Sequence, residues 1–250
     1  MGEHVWILTP IFFLIALLYA SVGLGGGSAY VALLYVFGLP LSQIPPLALF
    51  FNIIASSIAL YRFQKRGYVV LKLILPFLMT SIPATYMGSC WRPDEKILSF
   101  IFAGVLFTIA LILLFRKKEV RARFSLDKRM TWVVSLCLGA ALGFLAGIMG
   151  IGGGIFLGPV LLVAGFASPR HVAGICSAFV FVNSVVGLTS YAFQGRVDIS
   201  FLLFLGLAVF FGAQTGSFLG SRKFSPLVLQ RIFSFLLLIV SFKLGAGILE

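Results

Sequence analysis

Charge is what this chain has least of. Only 10% of its 250 residues are Asp, Glu, Lys or Arg, against 60% hydrophobic residues and a mean hydropathy of +1.12. Soluble domains carry roughly 25% charged residues, so this composition cannot cover a water-facing globule. Carboxylates are scarcest. There are 7 (Glu3, Asp94, Glu95, Glu119, Asp127, Asp198, Glu250), all at termini, in connections or at the edges of apolar runs. The 2 histidines, His4 and His171, also miss the middle of any run. A membrane enzyme acting on a lipid or thiol needs a nucleophile and base, or metal ligands, within mutual reach, and no such set is visible. The 3 cysteines, Cys90, Cys137 and Cys176, have no CxxC spacing and read as small apolar packing residues. No Gly-Lys-Ser/Thr loop follows a strand pattern, so no cofactor is expected.

What is present is a series of apolar runs. About 20 apolar residues cross ~30 Å of hydrocarbon. Runs 5–22, 47–63, 69–90 and 97–115 are of that order, as are 131–149, 172–193, 199–219 and 226–248; runs 28–38 and 155–166 are about half as long. The expectation is an all-α polytopic membrane protein with eight long helices and two short ones. Met1-Gly2-Glu3-His4 supplies no positive n-region, so 5–22 reads as a retained span, not a signal peptide. The net charge of +12 does not point to nucleic acid. Seven basic residues (Arg116, Lys117, Lys118, Arg121, Arg123, Lys128, Arg129) crowd one connection between spans. Lys and Arg in short connections mark the cytoplasmic side, which places 116–129 in the cytoplasm and the spans in the cell's inner membrane.

The chain also repeats itself. Gly23, Gly25, Gly26, Gly27 and Gly38 recur as Gly150, Gly152, Gly153, Gly154 and Gly165, 127 positions later. Tyr61-Arg62-Phe63-Gln64-Lys65-Arg66 resembles Tyr191-Ala192-Phe193-Gln194-Gly195-Arg196, Asn52 parallels Asn183, and Gly88-Ser89 parallels Gly220-Ser221. The expected organisation is one transmembrane repeat at 1–115, a basic loop at 116–130 and a second repeat at 131–250. With the basic loop inside, inverted copies also bring Arg62, Lys65, Arg66, Arg170, Arg222 and Lys223 inside. Parallel copies move the last three out and bring Arg196 in. Charge therefore favours inverted copies.

Each repeat carries a GxGGG break within apolar surroundings. Glycine is costly in a helix interior, and a broken helix in a bilayer leaves backbone N–H groups to be satisfied by protein, water or ligand. The short helix that follows presents about half a positive charge at its start. Two such ends facing one cavity form an anion site that needs no buried Arg or Lys. The candidate binding residues are Gly25, Gly26, Gly27 and Ser28 in the first copy and Gly152, Gly153, Gly154 and Ile155 in the second. Asn52 and Asn183 join them as amides within apolar spans. Ser28 offers a hydroxyl at the first cap that Ile155 does not. The bland reading is that the glycines serve close helix packing and the amides bind helix to helix. Without an in-span carboxylate there is no evident cation-coupling site. Moving a monoanion out of a negative-inside cell releases about 2.3 kcal/mol per 100 mV, so export is favoured.

These motifs resemble the sulfite exporter TauE/SafE family of membrane permeases. The second copy matches best, with Gly150-Ile-Gly-Gly-Gly-Ile-Phe-Leu-Gly-Pro159, then Gly165, Ala178, Asn183, Tyr191, Gly195 and the ladder Gly212, Gly216, Gly220. The first copy has Ala32 where the proline would fall. The resemblance spans essentially the whole chain and implies an inner-membrane permease for sulfite, a sulfonate, thiosulfate or a similar organosulfur acid. An anion channel, and an ion-coupled uptake carrier for a small carboxylate, are the alternatives. The expected partners are a small anion and the lipid bilayer.

Overall fold

The computed structural model describes residues 5–37, 39, 43–91, 107, 108, 110, 111, 114, 115, 128–193 and 202–246. In chain order the helices are α1 (Val5–Ser21), α2 (Gly27–Val36), α3 (Ile44–Lys65), α4 (Leu71–Cys90), α5 (Lys128–Met149), α6 (Gly154–Val163), α7 (Pro169–Phe193), α8 (Leu202–Phe218) and α9 (Pro226–Ala246). Five segments are long and apolar enough to cross a membrane: Ile44–Lys65, Leu71–Cys90, Trp132–Met149, Pro169–Ala192 and Phe204–Lys223. The short α2 and α6 have 10 residues each, as expected, although each begins one residue earlier than the sequence suggested. Pro159 lies inside α6, while α2, with Ala32 in its place, is a helix of the same length. The span expected at 97–115 is described only at 107, 108, 110, 111, 114 and 115, which are helical. Most of the basic loop, 116–127, lies outside the described residues, as do Gly38, Gln194, Gly195, Arg196 and all seven acids.

Helix partners come in matched sets. α1 lies along α8 and α4 along α5; α3 packs on α7, α3 also on α8, and α4 also on α7; α2 rests on α3 and α6 on α7. Lipid provides no hydrophobic drive between helices, so close backbone approach must hold such pairs. Glycines spaced four apart supply it. Gly139, Gly143 and Gly147 of α5 lie against Phe77, Ser81 and Thr85 of α4, so closely that a Cβ at any of them would overlap the α4 backbone. Gly212, Gly216 and Gly220 lie in the same way against the carbonyls of Phe13, Leu17 and Ser21.

Two buried cores result. One joins α1, α2, α3 and α8 through Phe12, Tyr30, Phe51, Phe63 and Val209. Phe12 stacks on Tyr30 at 4.9 Å, and Phe51 meets Phe12 edge-on at 5.1 Å. The other joins α4, α6, α7 and α9 through Phe77, Leu157, Phe179 and Phe233. Each core therefore contains a helix from the opposite half of the sequence.

One end of the molecule gathers cations. Arg62, near the end of α3, donates to Gln214 Oε1 at 2.7 Å and lies 5.5 Å from the Phe218 ring. A π turn, Leu219–Lys223, continues α8 and sets Arg222 4.9 Å from the same ring. Arg170, at the start of α7, donates to Phe224 O at 2.9 Å and to Tyr68 Oη at 3.2 Å.

Candidate functional site

The two breaks share two left-handed glycines and differ at a third position, where Gly152 has φ of 73° and Gly25 has no positive φ. Gly23 and Gly150 have φ of 77° and 63°; Gly26 and Gly153 have φ of 95° and 74°. That left-handed conformation penalises any residue with a Cβ, which accounts for glycine at the residue preceding each short helix. Ala29 and Tyr30 then bond to Gly26 O, as Phe156 and Leu157 do to Gly153 O. At the far ends, Leu39 N reaches Leu34 O at 3.1 Å and Phe166 N reaches Leu161 O at 2.9 Å. The first amides of α2 and α6 have no carbonyl one turn earlier within their own helix. Side chains added at glycines of both breaks would meet at one place.

That place is Asn52, in the middle of α3. A Cβ added to Gly25 would strike Asn52 Oδ1, and one added to Gly27 would strike Asn52 Nδ2. From the other break, a Cβ on Gly152 would lie 3.1 Å from Asn52 Nδ2 and 2.7 Å from Ser184 Oγ. Val180 touches both sides as well, its Cγ1 3.0 Å from a Cβ on Gly25 and 3.1 Å from one on Gly152. One buried amide is thus wedged between the two interruptions. Asn52 is fully buried, and neither Oδ1 nor Nδ2 has a hydrogen-bond partner. Ser184 Oγ and Tyr30 Oη, beside Gly152 and Gly26, are also buried without partners. An unpaired buried polar group costs ~1–3 kcal/mol, so several together at one point call for a ligand or water.

The other expected residues divide. Gly25, Gly26, Gly27, Gly152, Gly153, Gly154 and Ile155 are all buried at the junction. Ser28 does not cap α2; it is the helix's second residue, and its Oγ lies 3.1 Å from Tyr19 Oη. Asn183 is turned toward α4, with Oδ1 3.0 Å from Thr85 Oγ1. That hydroxyl also lies 2.9 Å from Gly143 O and has one proton for two acceptors. With the Asn183 amide turned over, Thr85 donates to Gly143 O while accepting from Asn183, which satisfies both contacts. Asn183 therefore joins helices, whereas Asn52 faces the breaks. The reason is helical geometry: Cys176, Val180 and Ser184 recur every four residues and form the α7 stripe facing Gly152 and Gly154. Asn183 is one residue, about 100°, away from that stripe. Sequence symmetry with Asn52 pointed to Asn183; the i, i+4 spacing of Val180 and Ser184 was the signal for the residues that face the site.

Ser56, Ser57 and Ser177 bond backbone carbonyls within their own helices. His171 Nδ1 lies 2.8 Å from Ser168 Oγ at the start of α7, away from the junction. No Asp or Glu occurs among the described residues. The junction can offer hydrogen bonds and helix-end dipoles, but no formal charge from the described residues.

A family model described as Sulfite exporter TauE/SafE matches residues 8–244. The chain is 30% identical to "Probable membrane transporter protein y4hK" of Sinorhizobium fredii, over 93% of this chain and 95% of that one. It is 26% identical to "Probable membrane transporter protein MJ0441" of Methanocaldococcus jannaschii, over 90% and 89%. It is also 26% identical to "Probable membrane transporter protein YdhB" of Bacillus subtilis, over 85% and 87%. No solved structure matches the chain.

Proposed function

Because the chain belongs to the sulfite exporter TauE/SafE family, we propose that it moves a small sulfur oxyanion or organosulfur acid across the inner membrane, with the solute passing between the two glycine breaks. The observation that carries this reading is the convergence of Gly25, Gly27 and Gly152 on one unpartnered amide, Asn52. Two helix starts together offer about one unit of positive potential. That suits an anion, and it avoids burying a guanidinium or ammonium at membrane depth.

The arrangement of the halves supports inverted copies. The ends of α3 and α8 meet at Phe218, and the start of α7 reaches Phe224 at the same end. α3 and α7, the equivalent helices of the two copies, then run in opposite directions. Arg62, Arg170 and Arg222 share that end, which makes it cytoplasmic under the positive-inside rule. Export remains the favoured direction because every Asp and Glu of the sequence falls at a terminus, in a connection or at the edge of an apolar run and outward movement of a monoanion follows the membrane potential. Burial of all the junction glycines favours a carrier that opens by turns over a standing anion channel. The same feature suits an ion-coupled carboxylate carrier, the second alternative.

Purified protein in proteoliposomes preloaded with sulfite should show saturable counterflow of labelled sulfite. Gly25→Ala, whose methyl displaces the Asn52 amide, should cut that flux about tenfold or more while the protein still inserts and elutes as one species. Wild-type counterflow in this variant would remove the junction from the transport path. Thermal stabilisation by sulfite, thiosulfate, sulfoacetate, sulfate and lactate would rank the solutes.

A further inference from the structure

The junction's hydrogen-bonding inventory is more selective than its attraction to negative charge. Asn52 Nδ2, Ser184 Oγ, Tyr30 Oη and the opening amides of α2 and α6 are donors or can donate. Asn52 Oδ1 can only accept, and it is fully buried beside Gly25 with no donor to meet it. An ion made of acceptors alone leaves that oxygen unpaired and sets like charge against like. The titratable side chains packed around this point are Tyr19 of α1, Tyr30 of α2 and Cys176 of α7; α3 and α6 bring none here. All three are neutral at ordinary pH, so only the helix dipoles offset solute charge. Two helix starts match roughly one negative charge, and a second goes unmatched in a low-dielectric setting.

Resting on the transport reading above, we infer that the junction selects a small monoanion that itself carries an O–H donor, with Asn52 Oδ1 accepting that proton's hydrogen bond while Asn52 Nδ2, Ser184 and the helix starts hold the anionic oxygens. Hydrogen sulfite in its hydroxy form and 2-hydroxy sulfonates fit. The sulfite dianion, thiosulfate and sulfate do not. Asn52 is thus a specificity-determining residue, and its oxygen reads protonation state.

The test uses the full-length protein in proteoliposomes with equal pH on both faces. Labelled sulfite counterflow is measured as pH is stepped through sulfite's second dissociation. Unlabelled isethionate and ethanesulfonate, monoanions that differ by one hydroxyl, serve as competitors. The half-saturating concentration, expressed as hydrogen sulfite, should stay constant while that expressed as total sulfite rises with pH. Isethionate should compete about tenfold better than ethanesulfonate. Asn52→Leu should bring the two competitors to parity. If that variant does not fold, the wild-type comparison decides. Half-saturation that follows the dianion, or ethanesulfonate competing as well as isethionate, overturns this inference and leaves the transport site standing. Absence of saturable flux for every anion takes down the transport site as well.

Discussion

At the scale of single residues, identical glycine backbones do different work. Gly67 and Gly152 have φ of 74° and 73°. Nothing lies within 4 Å of a Cβ at Gly67, whereas one at Gly152 would meet Ser184 and Asn52. Both alanine variants carry the left-handed penalty of about 1–2 kcal/mol and should melt earlier than the parent, Gly152→Ala the more so because its methyl also overlaps Ser184. Only Gly152→Ala should also lose sulfite counterflow; loss in Gly67→Ala would show that flux tracks stability alone. The two in-span amides make a related point. Both were legible as polar residues among apolar ones, but which one faces the breaks depends on a rotation of one residue around α7. That rotation goes with packing on α4 through Thr85, which also bonds Gly143 O of α5; the i, i+4 spacing of Val180 and Ser184 marks a stripe on α7 but not what the stripe faces. Thr85→Val should therefore cost about 1 kcal/mol in thermal or denaturant unfolding, and Thr85→Val combined with Asn183→Leu should recover part of it.

At the scale of helices, the short elements were readable because glycine stops a helix wherever the chain lies. α2 and α6 appear within one residue of their expected starts. The ladder Gly212, Gly216, Gly220 was equally visible as a motif, but its partner was not. It packs on α1, some 200 positions earlier, and α5 uses its own ladder on α4. Small residues announce close approach without naming the neighbour. Gly143→Leu and Gly216→Leu should each destabilise by about 3 kcal/mol, because the opposing atoms are backbone and cannot swing aside. The readout is the melting midpoint of the purified protein. An unchanged midpoint in both would show that the ladders do not hold these pairs.

At the scale of the whole molecule, the direction of the copies can be checked without a ligand. In a background lacking Cys90, Cys137 and Cys176, single cysteines at Lys65 and Lys223 should react with a membrane-impermeant maleimide from the same face. Labelling from opposite faces would mean parallel copies. The exchange of α4 and α8 between the two cores carries a consequence for biosynthesis. The ribosome finishes α1, α2 and α3 long before it makes α8, so the newborn front half must wait in the membrane with Phe13, Leu17 and Ser21 uncovered until nearly the whole protein has been made. A message truncated after 115 codons should yield a fragment that quality-control proteases remove, and supplying 116–250 from a second gene should rescue it.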